Sequence, residues 1–117
     1  MRLVVVESPY AGDVERNLKY LRAAMADCLA RGEAPFASHA LYTQPGVLRD
    51  DVPEERRLGI DAGLAWGRHA DARVFYTDLG WSSGMDAGFA SARGCGQTVE
   101  YRTLPEFATP ASYRRKA

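Results

Sequence analysis

Cysteine is scarce, long apolar runs are missing, and neither sign of charge is in excess. The two cysteines, Cys28 and Cys95, do not form a CxxC pair, and the two histidines, His39 and His69, lie 30 residues apart. This excludes a disulfide framework and argues against a structural zinc site. Both thiols are expected to be reduced, in a cytoplasmic protein. The first apolar run, Leu3 to Val6, is too short for a membrane span or a secretory leader. Lys and Arg total 15, as do Asp and Glu, so the chain lacks the basic surplus on which binding to nucleic acid or anionic membranes rests. Neither GxGxxG nor GxxxxGK followed by Ser or Thr occurs, which removes the dinucleotide fingerprint and the P-loop.

What is present suits one folded domain. The chain has 117 residues, 46% hydrophobic and 26% charged, which is wrong for disorder. Its core is modest for the surface it must cover, and oligomerisation would be a natural supplement.

Arg2 to Glu7 is a short β-branched run that suits a buried parallel strand. Val14, Leu18, Leu21, Met25 and Cys28 or Leu29 then recur at helical spacing, with Asp13 as N-cap and Gly32 as stop. Ala34 to Ala37 reads as a second strand. Ser38 to Asp51 is a long polar connection with a turn at Pro45-Gly46, and connections of that length are usually functional or disordered. Asp51 to Glu54 has capping-box spacing before a helix whose apolar face is Leu58, Ala62, Ala65 and Trp66. Gly59 and Gly63 weaken that helix unless something packs closely on them. Ala72 to Thr77 is a strand, Ser83 to Arg93 a helix, and Thr98 to Arg102 the last strand. The order predicts a small Rossmann-like α/β fold, a parallel sheet of four to five strands with helices on both faces. Residues 1–104 form the domain, and 105–117 form a C-terminal tail or flap.

In such sheets ligands bind beyond the carboxyl ends of the strands. Three segments qualify. The first, Glu7 to Asp13, leads into a helix N-terminus that favours an anion, with Tyr10 placed to stack on a base or cover a sugar, or simply to act as a surface lid. The second, Asp78 to Met85, offers Ser82, Ser83 and the N–H groups of Gly84 and Met85 as a phosphate cradle. Asp78 at its lip is placed for a ribose hydroxyl or for general acid/base work. Ser83 equally reads as a helix N-cap and Asp86 as its capping-box partner. The third, Ser38 to Thr43, presents His39 and Tyr42, either as ligand contacts or, for His39, as a structural hydrogen-bonder. Arg56 in the next helix could reach a phosphate or be a solvated charge. Trp66 reads as core, and Trp81 as a cleft wall or subunit contact. His69 and Asp71 are assigned no chemistry.

Together these segments resemble the nucleoside 2-deoxyribosyltransferase-like superfamily, and most of all its small, often phage-encoded branch of DUF4406/DUF7768-type domains. The resemblance covers about residues 2–104. It runs through Ser8-Pro9-Tyr10-Ala11-Gly12, Asn17, Pro35 to His39, the helix start at Glu55, Arg56 and Gly59, Asp71, Ser82-x-Gly84-Met85, and the final Val99-Glu100-Tyr101. It implies a Rossmann-like fold and a site for a nucleoside or nucleotide, with Ser8, Pro9, Tyr10, Asn17, His39, Tyr42, Arg56, Ser82, Ser83, Gly84 and Met85 as ligand contacts. It also implies cleavage or transfer of an N-glycosidic bond by a carboxylate, without metal or cofactor, in an oligomer whose neighbouring subunit often completes the site. Relatives place the nucleophilic Glu where this chain has Gly88. Asp78, or Asp86, is therefore expected to supply the carboxylate, with Glu7 as a further candidate. The rival expectation is a binder that senses or sequesters a nucleotide without catalysis; a vestigial cleft in an oligomeric structural domain is a third.

Overall fold

A computed structural model describes residues 1–108. Four strands form one parallel sheet: β1 (Arg2–Glu7), β2 (Glu33–Phe36), β3 (Ala72–Tyr76) and β4 (Thr98–Arg102), in the order β2-β1-β3-β4. The helices are α1 (Val14–Ala30), α2 (Ser38–Leu41), α3 (Pro53–Gly67) and α4 (Ser83–Gly94), and a 3-10 turn follows at Pro105–Phe107. Helices cover both faces, as the sequence order predicts. Strand β3 is buried throughout, which suits a central parallel strand.

One face of the sheet packs on α1. Val4, Val6, Val74 and Tyr76 meet Tyr20, Leu21, Ala24 and Cys28 there. The buried stripe of α1 is Asn17, Tyr20, Leu21, Ala24 and Cys28, so it is rotated from the predicted apolar stripe, and Leu29 is exposed. Tyr20 can face inward because its hydroxyl donates to Asp78 Oδ2 at 2.7 Å. The ends follow expectation: Asp13 caps the helix by accepting from Arg16 N at 3.1 Å, and Gly32 takes φ +80° beyond it.

The other face packs on α3 and α4, and α3 departs from its predicted pattern. Gly63 and Gly67 are its buried residues, whereas Leu58 and Trp66 are 59% and 65% exposed. Trp66 is thus not core. Glycines alternate with partly buried Ile60 and Leu64 on the inward face, at the points where the neighbours come too close for a larger residue. A Cβ on Gly63 would lie 2.5 Å from Ser38 Cβ, and one on Gly67 would lie 3.2 Å from both Arg73 Cζ and Val5 Cγ2. The capping box at Asp51 does not form. Val52 is the N-cap, while Asp51 pairs with Arg49 at 2.9 Å and Glu55 accepts from Arg49 N at 2.8 Å. The connection from Ser38 is also more ordered than expected, since its first turn is α2.

The described chain stays on the core past residue 104. Leu104 is buried and Phe107 meets Tyr20 edge-on at 4.9 Å. The rest of the expected tail, residues 109–117, lies outside the described residues.

The contact at Gly63 is testable. Gly63→Ala must push α3 from α2 and should cost about 1–3 kcal/mol. Gly94→Ala meets nothing within 4 Å and should be neutral or stabilise by about 0.5 kcal/mol. Urea unfolding of the two variants beside the wild type measures both.

Candidate functional site

The strand order reverses between β1 and β3, because the chain leaves β1 toward β2 and returns across it to β3. A cleft opens beyond the carboxyl ends of these two strands, where ligands collect in sheets of this kind. Its walls come from the segment after β1 (Glu7, Ser8, Tyr10), from α2 (Ser38, His39), from α3 and the residues before it (Asp50, Arg56), and from the start of α4 (Ser82, Ser83, Gly84). The Tyr10 loop and the Ser82 turn therefore bound one hollow.

The Tyr10 loop is held from below. The Asn17 amide, buried in α1, donates to Tyr10 O at 2.9 Å and Ala11 O at 3.0 Å. These bonds fix two carbonyls that no helix or strand would satisfy. Tyr10 meets His39 edge-on with ring centroids 6.3 Å apart. Ser8 Oγ and His39 Nε2 share a hydrogen bond of 3.0 Å. Burial lowers His39 to about 4, so the ring is neutral at neutral pH.

On the opposite wall Ser82, not Ser83, caps α4. Its hydroxyl accepts from Met85 N at 3.3 Å, and Met85 Sδ lies 3.4 Å from Ser82 N. Ser83 is the first residue of the helix and accepts from Arg56 Nη2 at 3.5 Å. Among the described residues, the Ser83 and Gly84 N–H groups have no acceptor, as befits a first helical turn.

The floor of the cleft holds an ion pair. Arg73 lies on β3 with its side chain 1% exposed, and its Nη1 donates to Glu7 Oε2 at 2.6 Å. Arg73 Nε donates to Gln97 Oε1 at 3.1 Å, and Gln97 in turn donates to Gly67 O and Ala70 O. Burial raises Glu7 to about 7, against the downward pull of Arg73.

Of the predicted ligand contacts, Ser8, Tyr10, His39, Arg56, Ser82, Ser83 and Gly84 line this cleft. Tyr42 lines an adjoining hollow between α2 and α3, shared with His39 and Arg56. Pro9, Asn17 and Met85 do not reach the cleft: Pro9 is buried behind the loop, Asn17 serves the backbone, and Met85 is buried beneath the α4 cap.

The two predicted catalytic acids are corrected by their partners. Asp78 accepts from the Tyr20 hydroxyl and from Leu104 N at 2.8 Å, which ties it to the opposite face of the sheet. Asp86 accepts from Trp81 Nε1 at 2.6 Å on the outer side of α4. Neither lines the cleft. Trp81 is not a cleft wall either; it stacks on Phe75 at 4.9 Å. The sequence gives little lead to Arg73 because an arginine in a strand ordinarily faces solvent. Its signal was a charge inside an otherwise apolar central strand.

His39 gives a stability test. Its folded value lies below the ordinary 6.5, so between about 4 and 6.5 the unfolded chain binds the extra proton. Stability is then lost as pH falls through that window. Melting temperatures of the wild type should drop relative to His39→Gln between those pH values, and parallel curves would remove the desolvated imidazole.

Two comparisons with known proteins bear on this arrangement. The model of a domain of unknown function, DUF7768, matches residues 2–102. A solved structure, the 2-desoxiribosyltransferase from Leishmania mexicana, shares the fold with a TM-score of 0.57 at 13% sequence identity. The match covers 88% of this chain and 65% of that one, so the chain spans somewhat less than two thirds of that protein. No curated protein matches. A family model that takes in all four strands and the cleft between them identifies the chain as a member of the DUF7768 family.

Proposed function

We propose that the cleft binds a nucleoside 5′-monophosphate and that the protein cleaves or transfers its N-glycosidic bond. The observation that carries this reading is the convergence of three unlike groups on one hollow. Tyr10 and neutral His39 offer an aromatic wall for base or sugar, Arg56 beside the free N–H groups of Ser83 and Gly84 offers an anion site, and the Glu7 carboxylate lines the same hollow. An aromatic wall and an anion site in one hollow suit a ligand that carries both a base and a phosphate. The fold shared with a 2-desoxiribosyltransferase supports the same class of ligand. Two unpaired thiols suit a reducing cytoplasm. Exposed Leu58 and Trp66 on α3 support association of copies of the chain. No helix of the described residues is long and apolar enough to cross a membrane.

The test uses the four 2′-deoxynucleoside 5′-monophosphates, their ribose counterparts, and the matching nucleosides without phosphate. Thermal shift reads binding and chromatography reads free base. At least one monophosphate should stabilise the protein more than its nucleoside does, and release base. Arg56→Ala should weaken the monophosphate by about 10-fold or more, the worth of a charge-assisted hydrogen bond, and leave the nucleoside little changed. Stabilisation without base release over long incubation would leave a binding module that senses or sequesters the nucleotide. No stabilisation by any of these ligands would remove the reading.

A further inference from the structure

Glu7 stands apart from the other acids near the cleft. Two carboxylates line it, Glu7 and Asp50. Asp50 sits at the rim beside Arg56, 4.0 Å from its Nε, with 28% of its side chain exposed. Glu7 sits at the floor with 14% exposed. Its two oxygens differ. Oε2 is held by Arg73, whereas Oε1 accepts no hydrogen bond among the described residues and is not sealed from solvent. A carboxylate whose only task was to neutralise Arg73 would do so best with both oxygens engaged.

The fold also makes room for this carboxylate. Gly88 is a buried residue of α4 directly over it. A Cβ at Gly88 would overlap the Glu7 carboxylate, with the carboxyl carbon at 2.6 Å and Oε1 at 3.0 Å. Any side chain at position 88 would therefore displace the Glu7 carboxylate from its seat. Gly67 on α3 leaves the matching space for Arg73.

We infer, resting on the nucleotide reading above, that Glu7 is the catalytic carboxylate of this cleft, delivered from β1 into the space left by Gly88, with Arg73 as its positioning residue. In the first step Glu7 Oε1 attacks C1′ of the bound nucleotide. The O–C1′ bond forms as the C1′–N bond breaks, and the bonding pair leaves on the base nitrogen, which takes a proton from water. A water molecule then attacks C1′, the ester bond to Glu7 breaks with its pair returning to the carboxylate, and the water's proton passes to solvent. The sum is nucleotide plus water giving free base and sugar phosphate. The charged and titratable side chains that line the cleft with Glu7 are Arg73 from β3, Tyr10 from the loop after β1, His39 from α2, and Arg56 and Asp50 at the rim. His39 is neutral above about 4, and Glu7, near 7, changes charge around neutrality.

The test follows base release from the 2′-deoxynucleoside 5′-monophosphates by the full chain, with thermal shift by the same ligands as the binding readout. Release by the wild type should rise with pH through about 7. Glu7→Gln should lower it on the order of 10³-fold or more while the ligand-induced shift persists. Arg73→Gln should move the pH profile upward, because the cation that favours the ionised carboxylate is gone. Should Glu7→Gln fold poorly, the double change Glu7→Ala with Gly88→Glu returns a carboxylate to the same space from the helix side. It should release base faster than Glu7→Ala alone. Asp86→Asn, outside the cleft, should match the wild type. Base release that survives Glu7→Gln but is lost in Asp50→Asn overturns this inference and leaves the nucleotide reading standing. Ligand-induced stabilisation without release by the wild type overturns the catalytic role of Glu7 and leaves a binding site. Neither stabilisation nor release overturns both.

Discussion

A guanidinium buried in the middle of the sheet sets the terms for the rest of this face of the molecule. Arg73 occupies the second position of a strand that is otherwise apolar and wholly buried. A charge there is tolerable only with a counterion, and stripping that partner would typically cost about 3–5 kcal/mol; Nη1 and Nε are engaged, while Nη2 has no partner among the described residues. Parallel register places Val5 opposite Arg73 and Glu7 opposite Phe75, so Glu7 stands one pleat further along β1 on the same face. The counterion thus comes from the neighbouring strand. Space for the pair comes from Gly67 and Gly88, one on each helix that covers this face. Gln97 closes the system by binding Arg73 with its carbonyl and the end of α3 with its amide. One buried charge therefore explains two helical glycines, a glutamine and the acid at the floor of the cleft.

The opposite face solves a different problem. There Arg102 makes paired bonds to Glu33, at 2.7 Å from each nitrogen, and one to Glu100, while Arg2 bonds the same two acids. This network ties β4 and β1 to the first residue of β2 beneath the end of α1. The bonds from Arg2 and Arg102 hold Glu100 down at about 2. Tyr76 and Cys28 lie within it, and burial drives both of their ionisations upward. The acids of the α1 face are spent on the network, on Tyr20 and on the helix end. They have no free oxygen facing the cleft, and Asp78 belongs to this set.

The strands were legible because β-branched runs bounded by turn formers have few other fates, and their alternation with helices fixed the parallel sheet. The ends of α1 were legible from Asp13 and Gly32 for similarly local reasons. What stayed hidden depended on the partner across the gap. Periodicity favoured Leu58 and Trp66 as the inner face of α3, yet the buried positions of that face are Gly63 and Gly67, because Ser38 and Arg73 approach too closely for a larger residue. Tyr20 and Asn17 read as polar interruptions in α1 and are buried, the Tyr20 hydroxyl and the Asn17 amide nitrogen each spent on specific partners. Asp78 at a strand end read as a cleft acid, and only the tertiary contact with Tyr20 and Leu104 turns it away. Gly88 read as the loss of a carboxylate. Its meaning depends on where Glu7 points, which no spacing along the chain encodes.

Placing the acid at the end of β1 has a mechanical consequence. Side chains on central strands are held by ladder bonds on both sides, whereas residues in loops and first helical turns follow the motions of their segment. Strand β1 pairs with β2 from Arg2 to Val5 and with β3 from Val4 to Glu7, so Glu7 is held to the sheet through β3. The groups suited to grasping a ligand lie on segments with more freedom: Tyr10 on a loop, His39 on a single-turn helix, and Ser83 and Gly84 at a helix start. In the proposed reaction, that division places the attacking carboxylate on the stiffest element. It leaves adjustment to the walls, where differences of a few tenths of an ångström in a base or phosphate can be absorbed. Asn17 limits that freedom at one point by clamping the carbonyls of Tyr10 and Ala11 to α1. The Tyr10 ring is therefore carried on a backbone anchored to α1, in the same cleft that Glu7 lines.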